Sequence, residues 1–144
     1  MKTIKTLPIL FVLSIIVAQG TSLNENSILK YKNLLGVWAF ESMTTIKKGK
    51  REEITIVYKD KKNIETLKFN DSGAINFNVI NDGIEKKGIG TWFAEENYIT
   101  IIVESDTTYG TYSIDEKTLI LILNAEETEK TYSYSTILKY IKEN

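Results

Sequence analysis

A chain of 144 residues with 42% hydrophobic and 26% charged content can bury one core and is too short for two comfortable domains. Its formal charge of -1 gives no electrostatic case for a polyanion, so a nucleic-acid partner is disfavoured. Histidine and cysteine are both absent, which removes Ser-His-Asp and Cys-His catalysis and the commonest zinc and copper ligand sets.

Residues 1–20 read as an export signal. Lys2 and Lys5 supply the positive end, Leu7 to Val17 the apolar stretch, and Ala18 and Gly20 the small side chains before a cut at Thr21. The apolar stretch is shorter than the roughly 20 residues a spanning helix needs, so no stable membrane insertion is expected after cleavage, an uncleaved anchor being the alternative. Cleavage removes two lysines and no acid, which takes the net charge from -1 to -3. Without cysteine there is neither a disulfide nor a lipid-anchoring thiol. The expectation is a soluble exported protein, periplasmic or secreted, held together by its core alone.

Residues 21–35 form a short leading segment. Asn26 or Ser27 can cap a helical turn through Lys30–Leu35, with Ile28, Tyr31 and Leu35 on one side and Gly36 ending it. Such a turn is expected to plug one end of the domain that follows, residues 36–144.

From Gly36 onward short β-rich runs alternate with polar turns. The runs are Val37–Ile46, Ile54–Tyr58, Ile64–Phe69, Ala74–Ile80, Ile89–Ala94, Tyr98–Glu104, Thr108–Ile114, Thr118–Leu123 and Tyr132–Tyr140. Asn70-Asp71-Ser72-Gly73 and Asn81-Asp82-Gly83 supply residues that tolerate positive φ, as tight hairpin turns require. Connections this short cannot carry parallel crossovers, so sequence neighbours are expected to pair as antiparallel hairpins, with a two-sheet sandwich as the structural alternative.

Alternation marks one apolar face: Leu67 and Phe69; Ile75, Phe77 and Val79; Ile99, Ile101 and Val103; Leu119, Leu121 and Leu123; Tyr132 and Tyr134. Ile102, Ile120 and Ile122 have the opposite parity and leave an apolar strip outside. A long meander leaves two open edges, and closure into a barrel removes them. The fold expected is therefore all-β, an antiparallel up-and-down barrel of eight to nine strands. An even number is needed for antiparallel closure, so one of the nine runs is expected to be part of a longer strand, an edge or a loop, and Ile54–Tyr58 is the run with the weakest strand signal.

Three segments carry a family likeness: Leu35-Gly36-Val37-Trp38, then Leu67-Lys68-Phe69-Asn70-Asp71-Ser72-Gly73, then Gly90-Thr91-Trp92. In this order and spacing, from about Leu34 to Tyr140, the chain resembles the bacterial lipocalin-like domain. The resemblance implies an up-and-down barrel with Gly36 and Trp38 structural, the tryptophan lying across the closed end. It departs from true lipocalins in having no arginine placed to cover that tryptophan, since Arg51 is the chain's one arginine.

The candidate barrel lining is Phe40, Phe69, Phe77, Trp92, Tyr112, Leu121 and Tyr134. These side chains either fill the core or wall a cavity for one small apolar ligand. Gly90 and Gly110 either leave room beside Trp92 and Tyr112 or relieve strand curvature, and tyrosine hydroxyls would supply polar contacts to a ligand. Glu41 and Glu104 interrupt apolar strands, but their parity favours solvated carboxylates over an acid–base pair. Asn70–Gly73 lacks the closing acid of a calcium loop and reads as a turn. Lys47–Arg51 and Lys59–Lys62 read as solvated hairpin tips.

Two functions fit. The first is a non-catalytic binding protein, without cofactor or metal, holding a small hydrophobic molecule in the barrel. The second is a protein–protein interaction module with a solid core that docks through the outer apolar strip.

Overall fold

A computed structural model describes residues 31–127 and 132–144. Among them are nine strands and no helix: β1 (Gly36–Lys48), β2 (Glu52–Tyr58), β3 (Asn63–Phe69), β4 (Ala74–Asn81), β5 (Ile84–Glu95), β6 (Tyr98–Val103), β7 (Asp106–Asp115), β8 (Thr118–Glu127) and β9 (Tyr132–Lys142). All pairings are antiparallel. β1 and β3 to β9 form a closed circuit of eight, because β9 returns to β1 from Trp38↔Lys142 to Lys48↔Ser133.

The ninth strand, β2, is the extra one, as the even-number requirement anticipates. It pairs with β1 from Ser42↔Tyr58 to Lys48↔Glu52, while β3 takes the same edge of β1 lower down, from Gly36↔Phe69 to Ala39↔Thr66. The expectation that every sequence neighbour pairs therefore fails at one place, because β3 skips β2 and binds β1. A single long strand thus serves two partners in succession. The bulge between Phe40 and Ser42 re-aims β1 where they change over.

The two-residue turn Asp82-Gly83 has φ of 50° and 82°, the positive-φ pair that matches the twist of β4 and β5. Strand ends run past several expected boundaries. β5 starts at Ile84 rather than Ile89, and β8 and β9 reach Glu127 and Lys142. Polar residues such as Glu85, Lys86 and Lys87 carry no apolar period, yet pairing with Ile80, Val79 and Asn78 makes them strand.

Period-two burial holds around the circuit. Phe40, Leu67, Phe69, Ile75, Phe77, Val79, Trp92, Ile99, Ile101, Leu119, Leu121, Leu123, Leu138 and Tyr140 form one core. At one end a hydrogen-bonded turn, with Leu34 N donating to Tyr31 O at 2.9 Å, seats Tyr31 and Leu34 in that core. The plug is thus present, but Leu34 rather than Leu35 is its buried contact. Asn26, Ser27, Ile28 and residues 1–20, on which the export signal is expected, lie outside the described residues.

Candidate functional site

The sealed end is built around two tryptophans. Trp38 is fully buried on β1 and its Nε1 donates to Leu34 O at 2.8 Å, which fastens the plug to the barrel. Lys142 on the neighbouring strand β9 carries its ammonium 5.0 Å from the centre of the Trp38 ring and donates to Asn33 O at 3.2 Å. A lysine therefore covers this tryptophan by cation–π attraction, in a chain with no arginine placed to do so. Gly36, at φ 116°, begins β1 in a backbone region that disfavours side chains, and a Cβ there would meet Lys142 at 3.2 Å.

Trp92 and Phe69 meet edge to face at 5.4 Å, and Trp92 Nε1 donates to Asn70 O at 3.1 Å. The Asn70–Gly73 segment is a plain turn closed by Gly73 N to Asn70 O at 3.1 Å. Glu96 in the β5–β6 turn is pinned from two sides, its N–H donating to the Tyr31 hydroxyl and its carbonyl accepting from Tyr112. Tyr112 is thus half-buried with its hydroxyl committed to the sealed end, not left to orient a ligand.

Gly90 and Gly110 prove to be close-approach positions. A Cβ on Gly90 would lie 2.3 Å from Ile102 O, and one on Gly110 would lie 2.6 Å from Ile122 O, so neither position has room for a side chain. Space is made for an aromatic elsewhere: the Phe77 ring lies over Gly88, where a Cβ would come within 2.5 Å of it.

The inner wall changes character along the barrel axis. Past the bulge, Met43, Thr45 and Lys47 on β1 face inward opposite Leu138, Thr136 and Tyr134 on β9. Leu138 is buried, whereas Met43, Thr45, Thr136 and Tyr134 are half-exposed. Val103 and Thr108, on the inward parity of β6 and β7, are half-exposed too. Side chains that point into a closed barrel and still meet solvent mark an open mouth. Of the candidate lining, Phe40, Phe69, Phe77, Trp92 and Leu121 lie in the dry part and Tyr134 at the mouth.

Between these zones is a group not singled out from sequence. Glu65 is fully buried, points inward on β3 opposite Val79, and sits where β3 parts from β1. Its Oε1 accepts a 2.6 Å hydrogen bond from the Tyr140 hydroxyl, while no group among the described residues donates to Oε2. Burial pushes this carboxyl up from 4.5 to about 7, against the Tyr140 hydrogen bond, which favours the ionised form. Burial and the adjacent carboxylate hold the Tyr140 phenol well above its ordinary value. Tyr140 also meets Phe40 edge to face at 6.1 Å.

The carboxylates chosen from sequence lie elsewhere. Glu41 occupies the β1 bulge, half-exposed, in an ion pair with Lys59 at 3.0 Å, and Glu104 is an exposed turn residue with φ 57°. Neither approaches an acid–base pair. Among the described residues no three acidic side chains gather as a metal site would need. The outer strip Ile102, Ile120 and Ile122 is half-buried; more exposed apolar side chains lie at Ile84 and Ile89 on β5, at Tyr98 and Tyr109 on β6 and β7, and, away from the strip, at Ile54, Ile56 and Tyr58 on β2.

A scan against protein-family models and a search of curated proteins each gave no match. Among solved structures the chain is similar to lobster apocrustacyanin A1, with a TM-score of 0.52 and 14% identity over 85% of this chain and 70% of that one. A likeness at that identity shows the fold alone: a lipocalin-like antiparallel barrel.

Proposed function

We propose that this protein is an exported, non-catalytic carrier or scavenger of the bacterial lipocalin-like type, which takes a small, mostly apolar molecule into its barrel. The observation that carries the reading is the inner wall itself, dry and aromatic at the sealed end and half-exposed at Met43, Thr45, Thr136 and Tyr134. Concave apolar walls with a few placed polar groups are what small-molecule sites are made of. A solid-core docking module gives no reason for inward side chains to meet solvent, so the ligand reading is preferred over the interaction reading.

Titration with Nile red, a neutral dye whose emission rises in apolar surroundings, tests this. The expected result is saturation at one dye per chain with quenching of Trp38 or Trp92 emission. Thr45→Trp, which fills the mouth, abolishes the effect, while Thr44→Trp, whose side chain points outward beside Ile137, leaves it intact. No saturable signal, or an equal effect of the two substitutions, overturns the reading.

A further inference from the structure

Glu65 and Tyr140 form a fully buried polar pair inside the barrel. Tyr140 donates its one proton to Oε1, so its remaining capacity is to accept, and Oε2 has no donor among the described residues. Glu65 and Thr100 are the buried polar side chains of the described chain, and Thr100 lies on the outward parity of β6 opposite Tyr109. The wall therefore offers acceptors and no buried cation. A guest that meets it with only an apolar surface leaves a desolvated carboxyl oxygen unpaired, which is costly whether Glu65 is ionised or neutral. A guest that brings donors removes that cost.

We propose that the barrel selects a small primary amine with an apolar body, which enters from the mouth by displacing the side chains packed around the fully buried Glu65, its ammonium donating to Glu65 Oε2 and to the Tyr140 oxygen. An ammonium suits the site better than a hydroxyl on two counts. It supplies several donors to two acceptors and neutralises a buried carboxylate, which is stable only when paired and hydrogen-bonded. Glu65 follows Ile64 on β3 two residues before the inward Leu67, lies opposite Val79 on β4, and is bonded to Tyr140 on β9, whose ring meets Phe40 of β1. Tyr140 is the titratable one. Lys47, Lys86, Asp106 and Tyr134 share the inward parity nearer the mouth.

This inference rests on the barrel being a ligand site, and the test separates the two. Phenethylamine is compared with phenethyl alcohol, and octylamine with octanol, by calorimetry and by displacement of Nile red, in wild type and Glu65→Gln. The expected result is that each amine binds at least tenfold more tightly than its alcohol, about the worth of a charge-assisted hydrogen bond. Glu65→Gln, which keeps an acceptor for Tyr140 but loses the charge, brings the pair to parity. Calorimetry in two buffers of different ionisation enthalpy shows about half a proton released per amine bound near pH 7, as the ammonium draws the carboxyl into its ionised form.

If Nile red binds but amines and alcohols bind alike, the amine selection is overturned and the barrel site stands. If neither dye nor amine binds, both fall. Should Glu65→Gln not fold, the wild-type amine-to-alcohol ratio and the proton count decide alone: a ratio near one, or no proton released, overturns the inference.

Discussion

Glu65 makes stability depend on pH in a direction opposite to that of most surface carboxylates. Its folded value of about 7 lies above the ordinary 4.5, so between those limits the folded chain holds a proton that the unfolded chain has released. Stability then falls as pH rises through this window; the favourable contribution is complete below 4.5 and gone above about 7. At 1.36 kcal/mol per unit the loss is about 3 kcal/mol, a large fraction of the 5–15 kcal/mol typical of a small domain. The exposed Asp60 and Glu85, both lowered by hydrogen bonds, act with the other sign but are open to solvent. Urea unfolding followed by emission from the buried Trp38 and Trp92 isolates the Glu65 share when wild type is compared with Glu65→Gln. Gln cannot ionise, so the stability difference should move in favour of the variant by about 3 kcal/mol from pH 4.5 to just above 7. Curves that stay parallel across that range refute the assignment of a buried, proton-holding carboxyl.

Two further perturbations test the sealed end and the close approach at Gly90. Trp38→Phe removes the hydrogen bond to Leu34 O and part of the surface under Lys142, and should cost about 2–4 kcal/mol in urea unfolding; a loss well under 1 kcal/mol contradicts the role of Trp38 in fastening the plug. Gly90→Ala forces a Cβ against the Ile102 carbonyl, whereas Gly83→Ala meets open space and pays only for its φ of 82°. Thermal unfolding should rank them at about 3 and about 1 kcal/mol, and the reverse order contradicts the close-approach reading of Gly90.

Much of the barrel was legible because a half-buried strand writes its orientation in every second residue. Ile75, Phe77 and Val79 on β4 and Leu119, Leu121 and Leu123 on β8 face inward as their parity requires. Asn81-Asp82-Gly83 marked its turn because few other residues accept positive φ twice in a row. The β1–β3 pairing was not legible, since the contest between β2 and β3 for one edge is decided by long-range closure and not by local chemistry. The bulge at Glu41 is equally silent, because a single extra residue leaves no trace in an apolar count.

Glu65 is the instructive omission. It shares parity with Leu67 and Phe69, so the period already placed it inside. A charged residue, however, breaks an apolar alternation by eye: the run Ile64–Phe69 contains Glu65, yet its apolar face reads as Leu67 and Phe69 alone. Tyr140 carried a similar signal at the end of its run, on the same parity as Leu138. The hydroxyl expected to face a ligand was sought at Tyr112 and Tyr134, and it is Tyr140 that meets the interior carboxyl, a pairing across 75 residues that no local pattern encodes.

The central claim is that solvent and ligand reach the inside of the barrel from one end, and cysteine accessibility tests it most directly, because the chain has no cysteine of its own. Single substitutions Thr136→Cys at the mouth, Val79→Cys in the dry wall and Lys61→Cys on the exposed β2–β3 connection are treated with a small thiol reagent, with and without saturating Nile red. The account predicts that Thr136→Cys reacts at a rate comparable with Lys61→Cys and is protected by the dye, while Lys61→Cys is not and Val79→Cys stays slow throughout. Thr136→Cys reacting as slowly as Val79→Cys, or reacting freely with dye bound, contradicts it.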